Sequence, residues 1–173
     1  MKVLETDRTY LREMTADDGM MFYMLNLDHD VIKYTGDKSF KNIEAAEDFL
    51  SSYDHYKRFG FGRWAVIHKI DEQFLGWCGL KYTEEQNEFD IGFRFFKEHW
   101  GQGFATETAK ACVHFGFITH DMPEIVGRAM KENIASIRVL EKIGLTYSGP
   151  FDFDGKDGVM YKLSKSMFKF LLP

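Results

Sequence analysis

The segment Asp90-Ile-Gly-Phe-Arg-Phe-Phe-Lys-Glu-His-Trp-Gly-Gln-Gly-Phe-Ala-Thr-Glu107 sets Gly101, Gly103 and Ala105 at alternate positions. It reads as a strand, a loop and the opening turn of a helix. Small residues in that rhythm let a bulky anion approach the backbone, and unpaired N–H groups at a helix start favour negative charge. A phosphate cradle is the chemistry this suggests; the bland alternative is a glycine turn that serves only packing. No G-x-x-x-x-G-K-[ST] is present, and the glycines follow an antiparallel strand, so a P-loop or a dinucleotide crossover fits badly. One helix and one strand downstream, Asn133-Ile-Ala-Ser-Ile-Arg-Val-Leu-Glu-Lys-Ile-Gly-Leu145 opens a second helix. Asn133, Ser136 and Leu140 fall on one face of it, and Asn133 has two candidate roles, helix N-cap and ligand contact.

Other constellations carry less. The six histidines (His29, His55, His68, His99, His114 and His120) show no metal-ligand spacing, and no G-x-S-x-G marks a nucleophile. Phe104, Thr108, Cys112 and Phe115 recur at helical spacing and read as a core stripe. Cys78 and Cys112 read as buried thiols in a reducing compartment.

The elements that must position these residues follow from periodicity. Thr9 to Met14 alternates as a strand, Met20 to Leu27 is a helix, and Asn42 caps a second helix predicted to run to about Lys57. Arg63 to His68, Phe74 to Tyr82 and Glu88 to Phe96 form an antiparallel meander. Gly103 to Thr119 is helix, Ile125 to Met130 strand, and Asn133 to Ile143 a helix closed by Gly144. Tyr147 to Phe153 and Val159 to Leu163 form a hairpin around Asp154 to Gly158, while Ser164 to Pro173 has no clear pattern. With 173 residues and no linker or repeat, residues 1–173 read as a single α/β domain: a mixed, mostly antiparallel sheet flanked by helices with one parallel crossover. A net charge of −5 argues against nucleic-acid binding by bulk electrostatics. The start lacks a signal-peptide run and no stretch reaches membrane-span length, so the expectation is a cytoplasmic protein that engages no membrane. Aromatic residues make up 16% of the chain, and composition does not divide them between core and binding site.

The glycine loop, followed after a helix and a strand by N-x-x-S-x-R-V-L-E-K-x-G, resembles the GNAT superfamily of N-acetyltransferases, and Trp100 to Glu107 looks most like its ribosomal-protein (RimJ/RimL-like) branch. The resemblance covers nearly the whole chain. It implies splayed central strands with acetyl-CoA as co-substrate between them. The backbone of Phe93, Arg94 and Phe95 would bind the pantetheine, and Trp100, Gly101, Gln102, Gly103, Phe104, Ala105 and Thr106 would wrap the pyrophosphate, with Asn133 alongside. Trp100 stands where the family commonly has Gln or Arg. Leu140 stands where many members carry a tyrosine that protonates the departing thiolate; leucine cannot, and Ser136, one turn earlier, is the candidate substitute, unless its hydroxyl simply bonds a carbonyl four residues back.

Amide formation further requires a base, since an amine of pKa about 8 to 10 is mostly an ammonium at neutral pH. It also requires an N–H donor for the oxyanion that develops. Asp90 is the favoured base, with pairing to Arg94 or solvation as its structural alternative; His99 and Glu98 are weaker candidates. Arg128 occupies a position that carries a catalytic glutamate in some members. The implied acceptor is a primary amine, either a peptide N-terminus or a small molecule. Its groove would come from Asp17 to Phe59 and the final hairpin, with Phe22, Tyr23, Tyr34, Phe151 and Phe153 on its walls and Asp28, Asp30, Asp37, Asp54, Asp152 and Asp154 among them. Phe49, Trp64, Phe115 and Phe117 are core candidates. A homodimer is compatible with the reading, as is a protein of the same fold that binds acetyl-CoA without turnover.

Overall fold

The structure, a computed structural model, describes residues 1–171; Pro173, expected at a chain end, lies outside the described residues. In chain order the elements are β1 (Lys2–Glu5), β2 (Thr9–Glu13), α1 (Gly19–Leu27), α2 (His29–Ile32), α3 (Ile43–Ser52), α4 (His55–Phe59), β3 (Arg63–His68), β4 (Phe74–Thr83), β5 (Glu88–Phe95), α5 (Phe104–Ile118), β6 (Glu124–Met130), α6 (Ile134–Lys142), β7 (Thr146–Phe153), β8 (Lys156–Ser164) and α7 (Lys165–Leu171). Eight strands form one sheet in the order β1-β2-β3-β4-β5-β6-β8-β7. Every pairing is antiparallel except β5 with β6. This is the mixed α/β layer the sequence predicts.

Each face of the sheet has its own core. Trp64, Val66, Cys78, Leu80 and Ile91 pack against Ala109, Cys112, Val113 and Phe117 of α5. On the opposite face Ala65 and Ile67 meet Phe22, Leu25, Ala46 and Leu50 of α1 and α3. Strand alternation makes this division, since neighbouring residues point to opposite faces. Burying each large apolar side chain is worth roughly 1.5–3 kcal/mol, so these stripes set which face each helix covers. Cys78 and Cys112 are both buried, 3.8 Å apart at sulfur.

Several boundaries differ from expectation. Asn42 does cap α3, its Oδ1 accepting from the Ala45 N–H at 3.0 Å. The helix stops at Ser52, however, and does not reach Lys57. Tyr53 is extended there and its hydroxyl accepts from the Arg63 N–H at 2.9 Å, while the Tyr56 hydroxyl donates to the Arg63 carbonyl. The break lets two tyrosines clamp the start of β3. The final hairpin is tighter than predicted: Asp154 and Gly155, both with positive φ, make the turn, and β8 begins at Lys156. Short β1 and α2 carry too few residues to show periodicity, and α7 docks the unassigned C-terminal segment by stacking Phe168 on Phe117. Gly144 closes α6 at φ 98° as expected.

Candidate functional site

Strands β5 and β6 are paired at a single position, Asp90 with Val126. Strand β6 pairs along its whole length with β8, so beyond Asp90 the two parallel strands part. A cavity of about 1160 Å³ passes through the opening and is lined from both faces of the sheet. Backbone alternation decides what β5 offers it. The Phe96 N–H donates to the Leu75 carbonyl, which turns the backbone of Arg94 and Gly92 toward β4 and leaves that of Phe93 and Phe95 facing the gap. The Trp100 indole donates to the Phe95 carbonyl at 2.9 Å, which anchors the following loop to the strand end. The departure from the family's Gln or Arg therefore has a structural use.

The loop enters α5 through two left-handed glycines, Gly101 (φ 73°) and Gly103 (φ 85°). A Cβ built on Gly101 would meet nothing within 4 Å, and both glycines line the cavity with Trp100, Phe104, Ala105 and Thr106. The first helical bond of α5 runs from the Glu107 N–H to the Gly103 carbonyl at 3.0 Å, so the N–H groups before Glu107 have no intrahelical partner. Small residues, open space and free donors at the start of a helix fit a pyrophosphate. Gln102 departs from expectation: its side chain turns back to the Glu98 carbonyl (2.8 Å) and it does not line the cavity.

A brace that sequence reasoning missed holds this loop. Glu107 accepts from the Thr6 hydroxyl at 2.6 Å, the Arg8 N–H at 3.0 Å and the Arg8 Nε at 2.7 Å. Arg8 also donates to the Gln102 carbonyl at 3.0 Å and lies over the Phe104 ring. Burial works to raise the Glu107 pKa, but these donors outweigh it and hold the carboxyl below its ordinary value. An acid in the first turn of a helix after a glycine loop was the available signal.

On α6, Asn133 takes the N-cap role, its Oδ1 accepting from the Ser136 N–H at 3.2 Å, and it lines the cavity as well. Ser136 lines the cavity one turn below Leu140. Among the described residues the Ser136 hydroxyl has no hydrogen-bond partner, so the carbonyl four residues back does not take it. Leu140 is buried against Gly127 of β6.

Asp90 stands where β5 and β6 begin to part, and its partner is Arg63 (2.5 Å), not Arg94. Arg63 reaches it across Gly92, where a Cβ would lie 2.7 Å from the guanidinium. Arg94 instead bonds Asn26 and Asp37 on the α1–α3 side, so its backbone belongs to β5 while its side chain belongs to the other half of the cavity. Arg128 pairs with Glu88 and lies over Phe151. His99 lines the opposite half, edge-on to Phe104. Tyr34, Phe151 and Phe153, three of the rings expected near the acceptor, line the cavity with Asp30, Asp152 and Asp154. Phe22 does not; it is buried in the α1–α3 core, and Phe49, expected in the core, is 45% exposed and stacked on Phe22. Arg63 and Trp77 escaped sequence reasoning because only the β3–β4–β5 register brings them beside Asp90 and Arg94.

Comparison with known proteins bears on this arrangement. The acetyltransferase (GNAT) domain family model matches residues 8–146. The Bacillus subtilis protein YkkB is 35% identical over 84% of this chain and 86% of its own length. The N-acetyltransferase p20 of Bacillus licheniformis is 27% identical over 86% of this chain and 85% of its own. In fold, spermidine N-acetyltransferase from Vibrio cholerae, solved with CoA and spermine, superposes with a TM-score of 0.78 at 17% identity, over 94% of this chain and 98% of that one.

Proposed function

The chain belongs to the acetyltransferase (GNAT) domain family, and on that premise we propose that it transfers an acetyl group from acetyl-CoA directly to a primary amine, with the two substrates meeting in the opening between β5 and β6. The observation that carries the proposal is the single β5–β6 pairing and the cavity that runs through the parted strands from one face of the sheet to the other. Acetyl-CoA supplies an activated thioester when bound. The loop residues Trp100 to Thr106 hold its pyrophosphate through backbone N–H groups; Gln102 contributes its backbone alone. The Phe93 backbone faces the arm of the cofactor, and its N–H is the donor for the carbonyl oxygen. Asn133 borders the same channel.

On the other side, Asp90 takes the proton of the incoming ammonium, directly or through water, while Arg63 fixes its carboxylate. Ser136 relays a proton to the departing sulfur, regaining one from water as the second N–H proton of the tetrahedral adduct passes to solvent. The motif from Trp100 to Glu107 supports a RimJ/RimL-like affiliation within the family. The acceptor is an amine of a peptide N-terminus or of a small molecule.

Buried Leu140 favours a second reading, a protein that binds acetyl-CoA without turnover. Incubation with acetyl-CoA and a panel of amines and peptides, while free thiol is followed, separates the two. Acceptor-dependent thiol release is the expected result; cofactor binding with no release from any acceptor contradicts transfer.

A further inference from the structure

Four buried side-chain nitrogens among the described residues have no hydrogen-bond partner: Trp77 Nε1, Arg94 Nε, His99 Nε2 and Arg128 Nε. All four residues line the same cavity. Buried polar atoms without partners are rare because they forfeit their bonds to water, and three of these, Trp77 Nε1, Arg94 Nε and Arg128 Nε, can only donate, which points to a ligand that supplies acceptors.

Trp77 and Arg94 are directly opposite across β4 and β5, so their side chains are neighbours on the α1–α3 face. The guanidiniums of Arg63 and Arg94 each lie over the Trp77 ring, 5.4 Å from its centroid. The three arginines of that half of the cavity differ in how they are neutralised. Arg63 and Arg128 pair with Asp90 and Glu88, which are themselves 21% and 24% exposed. Arg94 has the most buried side chain of the three, at 10% exposure, yet its acid is Asp37, 56% exposed on the connection between α2 and α3. An ion pair whose acid is largely in water contributes little, so apart from its neutral bond to buried Asn26 the guanidinium is left without firm charge compensation, beside two unused N–H groups.

We propose that the acceptor amine carries a carboxylate, that Arg94 and the Trp77 indole N–H bind it, and that it takes the place of Asp37 at the guanidinium. Planar, bidentate recognition of a carboxylate is what an arginine fork with a neighbouring donor provides. An amino acid or short peptide acid has both required groups; a polyamine would bring charge of the same sign to Arg94. This inference rests on the acetyl-transfer reading, and a binding measurement separates the two.

Calorimetry on the CoA-loaded protein compares the amino acids with their carboxamides and with spermidine. At least one acid is expected to bind 10-fold or more tightly than its amide. Trp77→Phe keeps the ring but removes the donor, and Arg94→Gln removes the charge; each is expected to cut the acid-to-amide preference severalfold while CoA affinity stays within twofold. Asp37→Asn is expected to tighten acid binding. Amides or spermidine binding as well as every acid, a preference that survives both substitutions, or weaker acid binding in Asp37→Asn overturns the proposal. Acid binding without thiol release would overturn the transfer reading and leave this one standing.

Discussion

In the proposed mechanism Ser136 and Asp90 divide the proton transfers between the two faces of the sheet, and their surroundings suit the division. Asp90 is held by a guanidinium at 2.5 Å on the side the proposal assigns to the amine, and Ser136 keeps an uncommitted hydroxyl on the side of the loop. General acid–base help is typically worth about 10²–10⁴-fold, and the CoA thiol is a fair leaving group, so Ser136→Ala is expected to lower kcat on the order of 10²-fold. Acetyl-CoA affinity should be unchanged in the same variant. Steady-state kinetics with calorimetry checks this, and a wild-type kcat would remove Ser136 from the mechanism. The loop glycines were legible in sequence because a left-handed backbone favours glycine, wherever the rest of the chain goes. Arg63, Trp77 and Arg8 were not, since their partners lie on other elements and only sheet register joins them.

At the scale of elements, the break between α3 and α4 shows why helical periodicity overran at Lys57. Tyr53 and Tyr56 continue an apolar pattern, but their hydroxyls bind the backbone of Arg63 and turn the chain. The aromatic layer under α4 also holds two histidines. Burial lowers the pKa of both His55 and His120 from the ordinary value, with His120 lying 4.9 Å from Phe115 and 5.1 Å from Phe61 at ring centres. The unfolded chain therefore takes up protons near pH 6.5 that the fold resists. Their contribution to stability is full above that pH and is lost as pH falls toward the folded values. Glu5, Asp30 and Asp71 have pKa values lowered by their partners, and their contribution fades only in the acid range below about pH 4.5. The urea midpoint should accordingly drop between pH 7.5 and 5.5, and His120→Phe should shrink that drop. A flat or rising profile over this window contradicts the assignment.

For the whole molecule, the defining feature is one sheet that is continuous from β1 to β7 by order but open between β5 and β6. The meander, the crossover and the terminal hairpin were all legible, because each depends on periodicity and turns within a few tens of residues. The parting of the strands entered only through family resemblance: nothing in the composition of β5 or β6 states that a single residue of each will pair. The aromatic fraction now divides in space. Trp64 and Phe117 are core, Phe93, Phe95 and Phe104 border the loop side, and Tyr34, Trp77, Phe151 and Phe153 line the cavity on the side the proposal assigns to the amine. Among the described residues no helix is long and apolar enough to cross a membrane. Titration of the labelled protein with CoA, read by backbone amide NMR, tests directly where the cofactor lies. The expected result is shifts concentrated at Phe93, Gly101 to Thr106 and the start of α6. Shifts confined to other elements, or none at saturating CoA, would contradict it.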